Sequence, residues 1–140
     1  MTPTDDVRLA TWGLLPLRAV VGVVFLMHGG QKLFVHGLSG TAGAMGHMGI
    51  PLPALSAFVV IVVEFFGGLA VLVGFFTRVA GALLAIDMTV AVLAVRMAGG
   101  FFAPKGCEYE LTLLGAALTL AAVGSGGASV DRLLHRRRTG

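Results

Sequence analysis

From Leu52 to Gly74 the chain carries a single charged residue, Glu64, in an otherwise apolar and small-residue run. At ~1.5 Å per helical residue, such a run crosses the ~30 Å of a bilayer's hydrocarbon. Three further apolar stretches accompany it, Leu14 to Phe34, Val79 to Met97 and Glu108 to Val123. The fourth is marginal. Its strictly uncharged part runs only from Leu111 to Val123, so it crosses only with little tilt, a locally thinned bilayer, or Glu108 and Glu110 in the outer interface. Charged residues make up 12% of the chain and hydrophobic ones 56%, against about 25% charged in an average soluble domain. Such a chain cannot cover itself with polar surface in water, and its mean hydropathy of +0.93 agrees. The reading is an all-α integral membrane four-helix bundle, one domain over residues 1–140 with spans at about 14–34, 52–74, 79–97 and 108–123.

The breaks between spans have their own chemistry. Gly37 to Pro53, rich in glycine and holding Pro51 and His47, reads as a loop outside the hydrocarbon. A tight turn is expected around Gly74 to Arg78, and Ala98 to Lys105 links the third and fourth spans, with Phe101 and Phe102 on the interface. There is no internal repeat, low-complexity segment or second domain.

Lys and Arg set the orientation, because cytoplasmic loops retain positive charge. Arg8, Arg18, Arg78, Arg132, Arg136, Arg137 and Arg138 fall on one side, and Lys32, Arg96 and Lys105 on the other. Both termini are therefore expected in the cytoplasm, with residues 124–140 a basic tail that touches anionic headgroups of the bilayer. A nucleic-acid partner is not expected, since no folded basic domain accompanies the tail. Arg8 before an apolar run resembles a signal peptide, but the run is too long and Met27 to Phe34 offers no small-x-small cleavage site, so an uncleaved span is expected. Cys107 is alone, which excludes an intrachain disulfide or a Cys-x-x-Cys pair.

The informative residues are the ionisable ones inside the spans, each costing several kcal/mol if left facing lipid. Counting from the cytoplasmic end, Arg18 lies ~6 Å deep and Asp87 ~13 Å deep, with Glu64 at about the level of Asp87. One arginine between two carboxylates, a charge cluster of Arg18, Glu64 and Asp87, is the expected arrangement. A second group lies nearer the outer face, where His28 and Lys32 are one helical turn apart and Glu110 begins the fourth span. Lys32 and Glu110 are expected to meet. Arg18, Gly22, Phe25, Gly29 and Lys32 share one face of the first span, which should point inward. The plain alternative for all these charges is ion pairing that fixes helix register. A single histidine without Cys, His or carboxylate at ligand spacing gives no metal site. Gly67, Gly68, Gly81 and Gly115 read as close-packing positions, and no phosphate loop, nucleophile elbow or dinucleotide fingerprint is present.

Three segments carry a family resemblance: Arg18 to Phe34 (RAVVGVVFLMHGGQKLF), Glu64 to Arg78 (EFFGGLAVLVGFFTR), and Glu108 to Asp131 with Gly124, Gly126 and Gly127. In combination they resemble the DoxX family of small four-helix bacterial membrane proteins, over nearly the whole chain from Leu14 to Leu134. The resemblance implies a place in the bacterial inner membrane and an association with redox chemistry, since relatives resemble subunits of thiosulfate:quinone oxidoreductase and of complexes joining thiol-redox and superoxide-detoxifying enzymes. By the same resemblance Arg18, His28, Lys32, Glu64 and Arg78 match motif positions, and Glu110 matches an acidic position early in the fourth span. With one cysteine, any thiol electron transfer needs a partner.

Three functional classes stay open. The first is a redox-associated subunit of a quinone-linked oxidoreductase, binding a quinone or small sulfur compound as substrate at His28, Lys32 and Glu110, with a soluble or membrane redox enzyme as partner and no covalently bound cofactor. The second is a small-solute or proton transporter titrating Glu64 and Asp87. The third is a ligand-free anchor for soluble redox enzymes. Self-association into a homo-oligomer is compatible with each.

Overall fold

A backbone in hydrocarbon must satisfy its own hydrogen bonds, and helices do so within one segment. In the computed structural model, which describes the backbone of residues 3–138 and the side chains of residues 11–134, every regular element is helical. Helix α1 (Pro3–Gly30) passes through a π-helical segment (Gln31–His36) into α2 (Gly37–His47). Helix α3 (Pro53–Val73) returns, and α4 (Thr77–Val90) runs out again through a second π-helical segment (Ala91–Arg96) and a 3₁₀ turn (Met97–Gly99). Helices α5 (Glu108–Val123) and α6 (Val130–Arg138) complete the fold.

Three helical stretches among the described residues are long and apolar enough to cross a membrane: Thr11–His47, Pro53–Val73 and Thr77–Gly99. The 16 residues of α5 reach ~24 Å, less than the ~30 Å of hydrocarbon. The outward faces are apolar, with Val20, Met27, Phe58, Phe66, Ile86 and Leu93 all exposed on the free bundle. Apolar cover on that scale suits lipid rather than water as the surrounding solvent.

Residues 37–47 form α2, which corrects the expected loop. The glycines there each cost a helix about 1 kcal/mol. The segment nevertheless buries Thr41 and Met45, packs against α3, and sends the Thr41 hydroxyl to the Lys32 carbonyl at 3.3 Å. Tertiary packing outweighs propensity, and the turn falls instead at residues 48–52.

The core is built on Val21 and Phe25 of α1, Val71 of α3, Leu84 of α4, and Ala117 and Leu120 of α5. Missing side chains set the helix spacing. A methyl group at Gly22 of α1 would stand 2.8 Å from the backbone of Leu72, and one at Gly29 would enter the backbone of Phe65. Across the same seam Gly68 of α3 faces the backbone of Leu26, and on the other side of the bundle Gly81 of α4 lies against Ala117 and Ala121. Gly115, by contrast, faces open space. It contributes nothing to close packing within this chain.

The turn between α3 and α4 is closed from a distance. Gly74 ends α3 in the left-handed region (φ 73°), where it needs no Cβ, and Phe75 N–H reaches back to the Ala70 carbonyl at 2.8 Å. Phe76 is left-handed too (φ 46°), a costly state for a residue with a side chain. Asp131, at the start of α6, accepts the N–H groups of Phe76 (2.8 Å) and Thr77 (3.3 Å) and so caps α4 from another helix. Residues 124–134 are therefore part of the bundle's end rather than a detached tail.

Candidate functional site: a polar belt across the bundle

The glycine contacts fix which charges can meet. With Gly29 against the backbone of Glu64 and Phe65, Lys32 lies less than one turn beyond Glu64's level, and Lys32 Nζ bonds Glu64 Oε2 at 2.5 Å. The Glu64 side chain is 6% exposed and that of Lys32 25%. A carboxylate so placed needs a cation, since an unpaired buried charge costs several kcal/mol. Lys32 stands in the π-helical segment, whose extra residue per turn changes the direction of the side chains that follow, a feature frequent at functional sites.

Asp87 of α4 joins this pair. Gly67 of α3 packs on Leu84, and one turn farther along each of these antiparallel helices stand Glu64 and Asp87. The two carboxyls lie within hydrogen-bonding reach of each other, with Lys32 close enough to act on both. Asp87 Oδ2 is buried and receives no hydrogen bond from any described residue.

Two more couples continue the belt. His28 Nε2 and the Tyr109 hydroxyl of α5 are 3.2 Å apart, with ring centroids 6.0 Å apart. Arg96 Nε donates to Glu110 Oε1 at 2.8 Å, joining the second π-helical segment to α5. Glu110 is buried, and its Oε2 has no partner among the described residues. His28 and Tyr109 are exposed at the bundle surface, Lys32, one turn beyond His28 on α1, is half-buried, and Glu64 is buried. The arrangement offers hydrogen-bonding groups to a molecule arriving from the lipid side.

The structure separates Arg18 from Glu64 and Asp87, which corrects the expected cluster. Glu64 lies at the level of Gly29, eleven residues and ~16 Å along α1 from Arg18, beyond the reach of a guanidinium. Arg18 is 2% exposed and its donors go to carbonyls: Nε to Val71 (3.1 Å), Nη2 to Leu72 (3.2 Å), and Nη1 to Ser125 (2.5 Å) and Ala128 (2.7 Å). The last carbonyls of α3 run short of helical partners, Val71 keeping only the Gly74 N–H at 3.2 Å, and a planar five-donor group fits several at once. Lys32 and Glu110 are corrected likewise, since Lys32 is held by Glu64 and Glu110 by Arg96. Arg78 is exposed on the first turn of α4, beside Gly124.

Two members of the belt, Tyr109 and Arg96, escape the sequence reading. The sequence places Arg96 near the end of the third span and counts it only for orientation, and it singles out no role for Tyr109 beside Glu110. Their signal is spacing alone: Tyr109 and Glu110 are adjacent on α5 and so point in different directions, one to α1 and one to the end of α4's extension.

The DoxX family model matches residues 13–97 of this chain. The chain is 33% identical over 124 residues to CatD of Bacillus subtilis (strain 168), provisionally named an oxidoreductase, covering 89% of this chain and 88% of that one. It is 32% identical over 126 residues to the inner membrane protein YphA of Escherichia coli (strain K12), covering 85% and 88% of the two chains. With the inner membrane protein YqjF of the same organism the identity is 34% over 132 residues, covering 93% and 98%. No solved structure matches. The family match runs from residue 13 within α1 to residue 97, just past the second π-helical segment, with Lys32, Glu64 and Asp87 inside it, and the chain belongs to the DoxX family of membrane proteins.

Proposed function

We propose that this protein is a redox-associated subunit of a bacterial inner membrane, binding a quinone or small sulfur compound at the polar belt and working with a partner oxidoreductase. The observation that carries the reading is the gradation from exposed His28 and Tyr109 through half-buried Lys32, one turn along α1 from His28, to the buried Glu64–Asp87 pair. A quinone carbonyl needs a hydrogen-bond donor, and its reduction needs protons at the same place. The His28–Tyr109 bond uses one proton, so the donor left free, either the Tyr109 O–H or the other ring N–H of His28, serves the carbonyl, while the Lys32 ammonium one turn along α1 supplies positive charge near the head. Cys107 is the single cysteine, so thiol electrons come from a partner or from a reduced sulfur ligand rather than from an internal disulfide. The relative CatD, by its name, supports the redox link, and the names of YphA and YqjF support the inner membrane.

Purification of the full chain from membranes, followed by extraction and chromatography of bound lipids, tests this reading. Quinone or a sulfur species at a fixed ratio to protein supports it. Protein free of either that still cannot bind added ubiquinone or menaquinone contradicts it. The adjacency of Glu64 and Asp87 favours one rival, a proton or small-solute path, for which flux through liposomes is the corresponding measurement.

A further inference from the structure

Lys32 is the one cation at the innermost part of the belt among the described residues, and it faces two carboxyls. Its Nζ is bonded to Glu64 Oε2. Asp87 Oδ2 is buried with no donor, although a buried carboxylate oxygen without a hydrogen bond is costly and rare. The other polar groups near the pair do not fill the gap. His28, one turn before Lys32 on α1, is bonded to Tyr109 of α5, and Glu110 of α5 is bonded to Arg96. With both carboxyls ionised the trio would carry one surplus negative charge in a low-dielectric setting, with two like charges in contact. A single proton between the carboxyls supplies the missing donor and cancels the surplus charge together.

We propose that Glu64 and Asp87 form a proton-binding site that holds one proton between two carboxyls, with Lys32 as its fixed counter-charge. The geometry assigns this from the facing of residues across α1, α3 and α4, and it stands without any ligand. In the loaded state the trio is neutral. A second proton would release Lys32 from Glu64 and leave a positive site for an anionic or carbonyl head, so that ligand capture and proton uptake become linked. Its use in turnover rests on the function proposed above. The proton passes between a carboxyl oxygen and the ligand or water, with no other bond made or broken in that step.

Infrared spectroscopy of the full chain in lipid nanodiscs, freed of bound lipid-soluble ligands, tests the site directly. At neutral pH a carbonyl band of a protonated carboxyl group is expected, moving on exchange into deuterated water. Asp87→Asn and Glu64→Gln should each abolish it, because either leaves Lys32 with one ionised partner. Should a variant not fold, the wild-type chain grown with carboxyl-¹³C aspartate, and separately glutamate, gives the same information through the shift of the band. A wild-type spectrum without the band at neutral pH, or a band insensitive to both substitutions and both labels, overturns the proposal. Quinone binding is not part of the measurement, so failure here leaves the proposed function standing, and loss of the proposed function leaves the proton site standing.

Discussion

Lys32 of α1 and Glu64 of α3 form an ion pair at 2.5 Å, and that pair sits where the glycine seam between the two helices brings their backbones into contact. Packing and electrostatics thus fix the same register. Removing Lys32 leaves the Glu64–Asp87 pair without its counter-charge, a loss of ~3–5 kcal/mol in deeply buried cases, with the lower end expected for Lys32→Met because a quarter of the Lys32 side chain is exposed. Glu64→Leu should cost less, because Asp87 remains as an ionised partner of Lys32. The double change Lys32→Met with Glu64→Leu should cost less than the sum of the singles, as read from a double-mutant cycle of thermal unfolding in detergent. Additive losses would mean that the pair carries no coupling.

Arg18 should behave as an independent structural clamp. Arg18→Leu leaves the carbonyls of Val71, Leu72, Ser125 and Ala128 without this donor, and a loss of about 2–4 kcal/mol is expected from several unmade buried hydrogen bonds. Arg18→Lys should recover only part of it, because an ammonium lacks the guanidinium fork. Combined with Glu64→Leu, the loss should be additive, since the two sites lie ~16 Å apart along α1.

The glycine seam predicts a contrast that thermal unfolding can measure. Gly68→Ala places a methyl group into the backbone of Leu26 and should cost about 1–3 kcal/mol as overpacking, or force α1 and α3 apart. Gly115→Ala meets nothing within 4 Å and should be neutral or slightly stabilising through helix propensity, by up to about 1 kcal/mol. Equal effects at the two sites would contradict the packing.

Topology is a proposal that reporter fusions can decide. The arginine asymmetry predicts that a reporter placed after Arg138 is cytoplasmic. The insertion point for the opposite face belongs in the turn at residues 48–52, because residues 40–46 lie within α2. Both reporters on one side would exclude the four-crossing arrangement and leave the short α5 as an interfacial or re-entrant helix.

Hydropathy made the helical membrane architecture legible, because apolar runs such as Leu52 to Gly74 have no alternative in water. The inward face of α1 was legible from spacing, as the burial of Arg18 and Phe25 and the contacts of Gly22 and Gly29 attest. The partners were not. Depth counting from presumed span ends placed Arg18 within reach of Glu64, but the end of a helix in hydrocarbon is set by its neighbours. Here the continuation of α1 into α2 shifts the whole frame. Glycine content argued for a loop at 37–53, and burial of Thr41 and Met45 decided otherwise. Tyr109 and Arg96 depend on contacts between distant helices, which no local pattern records.

The surface edge of the belt, His28 with Tyr109, is the place proposed to receive a ligand's polar head. Tyr109→Phe and His28→Gln remove a donor or the imidazole while keeping near-native volume, and both residues are exposed on the free bundle, so each should unfold within a few degrees of wild type. Equilibrium binding of a soluble short-chain quinone to the wild type and to each variant in nanodiscs is the direct measurement. Binding by the wild type and at least tenfold weaker binding by both variants are expected, the equivalent of about 1.4 kcal/mol of lost hydrogen bonding. Unchanged affinity in both variants, with stability retained, would contradict that proposal and reduce the His28–Tyr109 contact to a link between α1 and α5.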